Sequence, residues 1–402
     1  MKLLLIVAAF LTASFANAQH WELIGQVPYV LTEIRYDSAG NRYELRQQGQ
    51  ILRNEVLLRQ IPVMFRDECG AISFDFIPGG FVFHISASDS TQKIVTYDTV
   101  LEVLDTLLSV PYKNPFSDNH RGGSVIYDNG TYYCSFGYGI TGRHAQDLSD
   151  YRGKLLKIDS SGVNIVAFGL RNPYRFSFKD NEGFIADVGS NVAEEVNYFT
   201  GDYSLLNMQW PCFEGDSQLL IPDTLCDGYS YSSPEFTYSK PESRSIIGGC
   251  FWNDNYYFCD HFKDSLDYVF GGYLDSNWIF HDFPISFPQF VTSMTVNHLN
   301  ELVVSTWLGN IYEYVDGPLS IDSIPPDPEK KLLPIIVTSE KIIWNKGLNG
   351  RIMVLTLEGQ IVRYEDAQFR GSIDIYDLVP RMYIAVLITP LGVEWRKKFV
   401  TW

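Results

Sequence analysis

Between Asn119 and Gly215 the chain gathers residue types that move protons, neutralise anions and hold cations. His120 stands before Gly122-Gly123 and can act as a general base, because imidazole titrates near neutrality. Arg171 can bind an anion or steady a developing oxyanion. Asn172, beside it, accepts and donates hydrogen bonds at once. Asp187 and Glu194 flank Gly189-Ser190 and offer the hard oxygen ligands that Ca²⁺ takes. Each type also has a plainer use. A histidine before glycines suits a turn satisfied by backbone, and Arg171-Asn172-Pro173 suits the anchoring of a turn. Glu194-Glu195 suits a solvated turn or one structural ion.

The elements that must carry these residues are strands. From 20 to 316 helical periodicity is almost absent, and apolar or alternating runs of four to seven residues are split by Gly, Asn, Asp and Pro. Six stretches look alike, each an inner strand, a turn and a second strand. Examples are Gly130-Thr-Tyr-Tyr-Cys-Ser before Gly153-Lys-Leu-Leu, and Glu301-Leu-Val-Val-Ser before Gly309-Asn-Ile-Tyr. The second strands begin near 49, 93, 153, 195, 265 and 309, a mean spacing of 52 residues. That period predicts a six-bladed β-propeller, with a β-sandwich as the competing fold.

Length and composition agree. The chain has 402 residues, 46% hydrophobic and 20% charged, enough for a large core and more than one domain. Its 25 Tyr and 26 Phe suit pleated sheets better than helix bundles. A net charge of −17 excludes nucleic acid and anionic membranes as partners for the bulk of the protein. Residues 330–402 carry a net +4, which leaves −21 elsewhere and marks two units of different character.

Residues 1–18 read as a signal peptide, with Lys2, an apolar run from Leu3 to Leu11 and Ala16-Asn17-Ala18 before Gln19. No other run reaches the length of a membrane span. Export makes disulfides available to the six cysteines. Local pairing of Cys212 with Cys226 and of Cys250 with Cys259 is expected, leaving Cys69 and Cys134.

Several motifs stand in one order: His120-Arg-Gly-Gly, Gly153-Lys-Leu-Leu-Lys-Ile-Asp, Gly169-Leu-Arg-Asn-Pro-Tyr-Arg-Phe-Ser-Phe, Asp187-Val-Gly-Ser-Asn-Val-Ala-Glu-Glu-Val-Asn and Trp210-Pro-Cys-Phe-Glu-Gly. Together they resemble the glucose/sorbosone dehydrogenase family, the soluble quinoprotein sugar dehydrogenases. The likeness is clear over 119–215 and weaker over 20–118 and 245–316. It implies a six-bladed propeller over 19–317 that holds pyrroloquinoline quinone and Ca²⁺ at one channel mouth. It implies His120 as the base on a sugar hydroxyl and Arg171 as the group that steadies the quinone oxygen. Asn172, with Arg171 and Asp187, would seat the cofactor, and Gly189, Ser190 and Glu194 would lie at the calcium. The chain departs from the family in its late blades, where Lys263 and the histidines are the only basic residues between Ser245 and Tyr314. A non-catalytic carbohydrate- or protein-binding propeller is the rival expectation.

A Pro-rich linker, 318–331, precedes seven short strand patterns in 332–402, which predict a small Ig-like β-sandwich. Leu348-Asn-Gly-Arg-Ile-Met-Val, Leu357-Glu-Gly-Gln-Ile-Val, Arg381-Met-Tyr-Ile-Ala-Val-Leu-Ile and Lys397-Lys-Phe-Val make this module similar to the type A sorting domain of the type IX secretion system. That likeness implies the type IX machinery as a partner. It implies a protein secreted or held on the outer cell surface, acting on a small sugar or a glycan.

Overall fold

The computed structural model describes residues 19–316, except 67, 113–119, 140–141, 181, 201–204, 220–229, 240–244, 254, 262–269, 272, 275–276 and 279–289. Beyond them it describes 336–337, 341–343, 351–356, 361–366, 372–375, 378–379, 382–389 and 392–400. The signal-like segment 1–18 and the linker 318–331 lie outside the described residues. Among those described, one short helix, Arg143–Gln146, interrupts strands and turns. No helix there is long and apolar enough to cross a membrane.

The strands form because β-branched and aromatic residues alternate with polar ones. In Thr91–Asp98 the buried residues are Gln92, Ile94, Val95 and Tyr97. Hairpin turns fall where Asn takes a positive φ, at Asn54, Asn129, Asn253 and Asn300.

The strands build a propeller. One complete blade runs from Leu31–Tyr36 to Val56–Gln60 and the next from Ala71–Ile77 to Val103–Pro111. A third runs from Val125–Asp128 to Gly162–Phe168, extended by Leu206–Asn207. The fourth combines Pro173–Lys179, Glu182–Asp187 and Ala193–Thr200 with Phe236–Ser239. The closing blade joins Val291–Val296, Leu302–Thr306 and Asn310–Asp316 to the N-terminal strand Gln19–Gln26, with Gln19 opposite Asp316. The two ends of the propeller chain thus share one sheet and lock the ring.

The expected count of six blades is corrected to five complete ones. Between the fourth and closing blades stands a sheet of three described strands, Ile246–Trp252, Asn255–Asp260 and Phe270–Gly271. A second correction concerns strand order. The expected inner strands, such as Thr131–Phe136 and Leu302–Thr306, are second in their sheets. The innermost strands come one earlier and carry buried polar residues, among them Thr32, Glu33, Ser73, Asp75, Thr292 and Ser293.

Those polar side chains stitch the ring. Ser293 Oγ accepts the Ile34 N–H at 3.2 Å, Glu33 Oε2 that of Phe74 at 2.7 Å, and Asp75 Oδ2 that of Tyr127 at 2.8 Å. Arg175 completes the axis. Its guanidinium donates to the carbonyls of Thr32, Ile72 and Gly123 at 2.6, 3.1 and 3.1 Å and to Thr292 at 3.4 Å. One buried cation therefore ties the fourth blade to the first three and to the closing blade. The apolar cores lie between adjacent sheets, as where Tyr43, Leu45 and Ile51 of the first blade meet Phe74, Phe81 and Phe83 of the second.

Cys250 and Cys259 are free thiols, so their expected pairing is not made. In the antiparallel register Cys250 faces Tyr257 and Cys259 faces Gly248, which holds the two sulfurs apart. Cys69 and Cys134 are buried and in no disulfide. Cys226 of the other expected pair lies outside the described residues.

The C-terminal part has a three-stranded sheet, Ile336–Val337, Lys341–Ile343 and Ser372–Asp374. Its four-stranded sheet runs in the order Ile361–Asp366, Arg351–Thr356, Met382–Thr389 and Gly392–Val400. Ile342, Ile352, Val354, Ile373 and Tyr383 form a core drawn from both sheets.

Candidate functional site

The candidate residues meet at the end of the propeller where the innermost strands begin. His120 sits on the connection that enters the third blade, with the non-glycine φ of +59° that marks a constrained position. Its N–H donates to Glu68 Oε2 at 3.2 Å, and its carbonyl accepts the Gly139 N–H at 3.1 Å. The ring stacks on Tyr138, centroids 5.5 Å apart and planes 19° apart. Gly122 lets this connection approach so closely: it holds φ at +76°, and a Cβ there would stand 2.5 Å from the Gly137 nitrogen.

Arg171 faces His120. Its Nη2 lies 3.2 Å from His120 Nε2. A guanidinium only donates, so Nε2 accepts and the imidazole proton sits on Nδ1. Arg171 Nη1 donates to the carbonyls of Val188 at 2.8 Å and Gly189 at 2.6 Å. The Arg171 Cζ stands 5.6 Å from the Tyr138 ring and 5.4 Å from the Trp210 ring. Among the described residues neither Arg171 Nε nor Trp210 Nε1 has an acceptor, and both are buried.

The remaining predicted residues lie behind this pair. Asp187 gives one carboxylate oxygen to the Arg171 N–H at 2.8 Å and the other to the Asn172 N–H at 2.6 Å. Asn172 Oδ1 accepts the Gly122 N–H at 2.9 Å and so ties the Arg171 turn to the His120 connection. Glu194 Oε2 accepts N–H groups of Gly189 at 3.2 Å and Ile246 at 3.1 Å. Ser190 N–H donates to Glu214. All seven predicted site residues thus share one hydrogen-bonded assembly, in which His120 and Arg171 present side-chain atoms to each other.

Gly189 can be nothing larger, because a Cβ there would stand 1.7 Å from the Ala193 carbonyl. The turn after it is clamped by Glu214, whose Oε1 accepts successive N–H groups of Ser190, Asn191, Val192 and Ala193, the second and third at 2.9 Å. Asp187 and Glu195 oppose each other across the Glu182–Asp187 and Ala193–Thr200 strands. Burial first, then mutual repulsion, pushes Glu195 up to about 8. Burial pushes Asp187 up to about 7 against the two N–H bonds it accepts.

Tyr138, Trp210, Glu214 and Glu68 were not predicted as site residues. The signal for two of them was present, since Trp210 and Glu214 both belong to Trp210-Pro-Cys-Phe-Glu-Gly. Gln146 supports Trp210 by donating to its carbonyl at 2.7 Å and to Asn207 Oδ1 at 2.9 Å. Lys154 of the Gly153-Lys-Leu-Leu motif holds the short helix through the carbonyls of His144 at 2.8 Å and Ala145 at 2.9 Å. Burial pushes its ammonium down to about 7.

Among the described residues no group of three His, Cys, Asp or Glu is placed to hold a metal ion. No protein-family model and no curated protein matches the chain. Solved structures do. A protein of Thermus thermophilus described as a putative oxidoreductase (glucose dehydrogenase) superposes with TM-score 0.62 at 18% identity, over 74% of this chain and 100% of its own. The PQQ-bound aldose sugar dehydrogenase of Streptomyces coelicolor gives 0.60 at 16%, over 74% and 98%. The soluble aldose sugar dehydrogenase of Escherichia coli in its apo-form gives 0.60 at 16%, over 74% and 100%. At these identities the likeness shows the propeller fold.

Proposed function

We propose that the chain is an oxidoreductase of the sugar-dehydrogenase kind, with His120 as base and Arg171 as the cation that receives negative charge. The observation that carries this reading is the 3.2 Å approach of Arg171 Nη2 to His120 Nε2 between the Tyr138 and Trp210 rings. Similarity of fold to aldose sugar dehydrogenases supports the substrate class, an aldose or related alcohol. In this reading the signal-like segment and the sorting-like tail place the activity outside the cell.

The residues fit a planar, oxygen-rich acceptor such as pyrroloquinoline quinone. Arg171 Nε and Trp210 Nε1 are buried donors that such a group would satisfy. Bound there, a quinone supplies the acceptor for the hydride. Calcium fits poorly, because the Gly189 carbonyl already accepts from Arg171 and Glu194 Oε2 already holds main-chain N–H groups.

The chain's own part is proton and charge management. While Arg171 Nη2 donates to Nε2, the imidazole lone pair is engaged. Nε2 is open as a base when Arg171 Nη2 donates elsewhere, and a quinone held at this mouth would offer Arg171 such an acceptor. Nε2 then takes the hydroxyl proton of the sugar as the carbon gives up its hydride, and the alcohol becomes a carbonyl. Arg171 steadies the oxygen that gains charge. Arg171 and His120 would thus couple release of the base to the presence of an acceptor.

The test is the full chain with pyrroloquinoline quinone, a panel of aldoses and a reducible dye. Sugar-dependent dye reduction is expected, falling by about 10³-fold in His120→Ala. Sugar binding with no reduction at saturating quinone would sink this reading in favour of a recognition propeller.

A further inference from the structure

The guanidinium of Arg171 stands where a divalent cation would have to bind. Its Nη1 is 2.6 Å from the carbonyl of Gly189, one of the residues at the expected calcium position, and 2.8 Å from that of Val188 next to it. The carboxylates nearby receive main-chain N–H groups. Glu214 is drawn onto four main-chain N–H groups, Asp187 onto two, and Glu194 Oε2 onto those of Gly189 and Ile246. We infer that Arg171 is the resident cation of this site, and that the chain binds its acceptor without calcium.

Arg171 and a calcium ion would compete for one oxygen. A calcium ion on the Gly189 carbonyl would lie within a few ångströms of a guanidinium that the Tyr138 and Trp210 faces hold in place. Like charges at that range, away from bulk water, repel strongly. Arg171 is buried, and among the described residues no carboxylate makes a hydrogen bond or ion pair with its guanidinium that could draw it away. The same guanidinium can polarise an acceptor oxygen, which is the task a divalent ion would otherwise perform.

This inference rests on the proposed reading only in treating the His120–Arg171 mouth as the working site. Its test therefore reads metal binding and not turnover, so a chain that fails to oxidise sugars leaves it intact. Terbium(III), a luminescent stand-in for calcium, is titrated into the full-length protein, and emission sensitised by Trp210 is isolated by comparison with Trp210→Phe. The wild type is expected to show no Trp210-dependent emission that Ca²⁺ displaces. Arg171→Met frees both carbonyls and removes the positive charge, and is expected to gain such emission by about tenfold or more. Calcium-displaceable, Trp210-dependent emission in the wild type overturns the inference. So does a natively folded Arg171→Met, checked by circular dichroism, that gains none. If that variant does not fold, Arg171→Gln and the wild-type titration decide.

Discussion

Arg171 and Arg175 lie four residues apart at the start of one strand, and both are buried guanidinium groups received by main-chain carbonyls. The carbonyls differ in origin. Those at Arg175 come from Thr32, Ile72 and Thr292 on three other sheets and from Gly123 on the connection into a fourth. Those at Arg171 come from Val188 and Gly189, in one turn of its own blade, and its other partner is a titratable ring. The same side chain is an axle in one place and a reagent in the other. What separates them is how many independent elements each one fastens, and whether a movable group is among its partners.

Stability measurements can break this comparison. Arg175→Met strands four buried carbonyls and should cost about 3 kcal/mol or more in urea unfolding of the propeller. Arg171→Met strands two carbonyls of a turn that Glu214 already clamps, and should cost about 1 kcal/mol. Equal losses would mean that Arg171 too is a fastener, and the division between axle and reagent would fall.

A second measurement uses pH. Asp187 and Glu195 sit behind Arg171 with raised affinity for protons, up to about 7 and about 8. A carboxyl raised on folding stays protonated in the native state while the unfolded chain ionises. Its stabilising effect is complete below about pH 4 and is lost as pH rises through about 7 to 8. Native stability should fall by on the order of 2 kcal/mol from about pH 5 to about pH 8. Asp187→Asn with Glu195→Gln should flatten that slope. The titratable groups beside the Arg175 guanidinium are Tyr174, whose phenol burial raises above its usual range, and His84, which burial holds down to about 3; neither titrates between pH 5 and 8, so in Arg175→Met the slope should survive at lower overall stability. A slope that vanishes in Arg175→Met would link the two regions.

The sequence made part of this legible. His120 and Arg171 stand out by residue type, because imidazole and guanidinium chemistry does not depend on a particular neighbour. The strand-and-turn rhythm foretells a propeller. Arg175 could not be read, since its partners are carbonyl oxygens that any residue supplies. Nor could the sequence show which main-chain groups Asn172, Asp187 and Glu194 hold, because the N–H groups of 122, 171, 172, 189 and 246 leave no mark in residue types. The inner strands were misplaced because apolar runs mark strands buried on both faces. At the axis, Ser293, Glu33 and Asp75 must be polar to receive N–H groups of the adjoining blade.

A clamp variant sharpens the contrast by a smaller amount. Glu214→Gln replaces a charged acceptor of the N–H groups of 190–193 by a neutral one, at a cost of about 1–2 kcal/mol. The Gly189 carbonyl should then wander, and acceptor binding should weaken more than global stability does. A loss confined to stability would show that the turn does not set the position of Arg171.

The smallest effect tests the aromatic faces. Arg175 lies 4.9 Å from one ring, Tyr174, whereas Arg171 lies between Tyr138 and Trp210. A cation–π contact is worth about 0.5–1 kcal/mol or somewhat more when dry, too little to hold a fold but enough to aim a side chain. Trp210→Phe keeps an aromatic face of weaker potential and removes the unmatched Nε1 donor. Binding of pyrroloquinoline quinone, followed by its absorbance, should weaken about threefold to tenfold, while stability shifts by less than about 0.5 kcal/mol. Tyr174→Leu should do the reverse, lowering stability slightly and leaving quinone binding alone. If both substitutions act on stability only, the rings around Arg171 are packing, and the mouth of the propeller works by its hydrogen bonds alone.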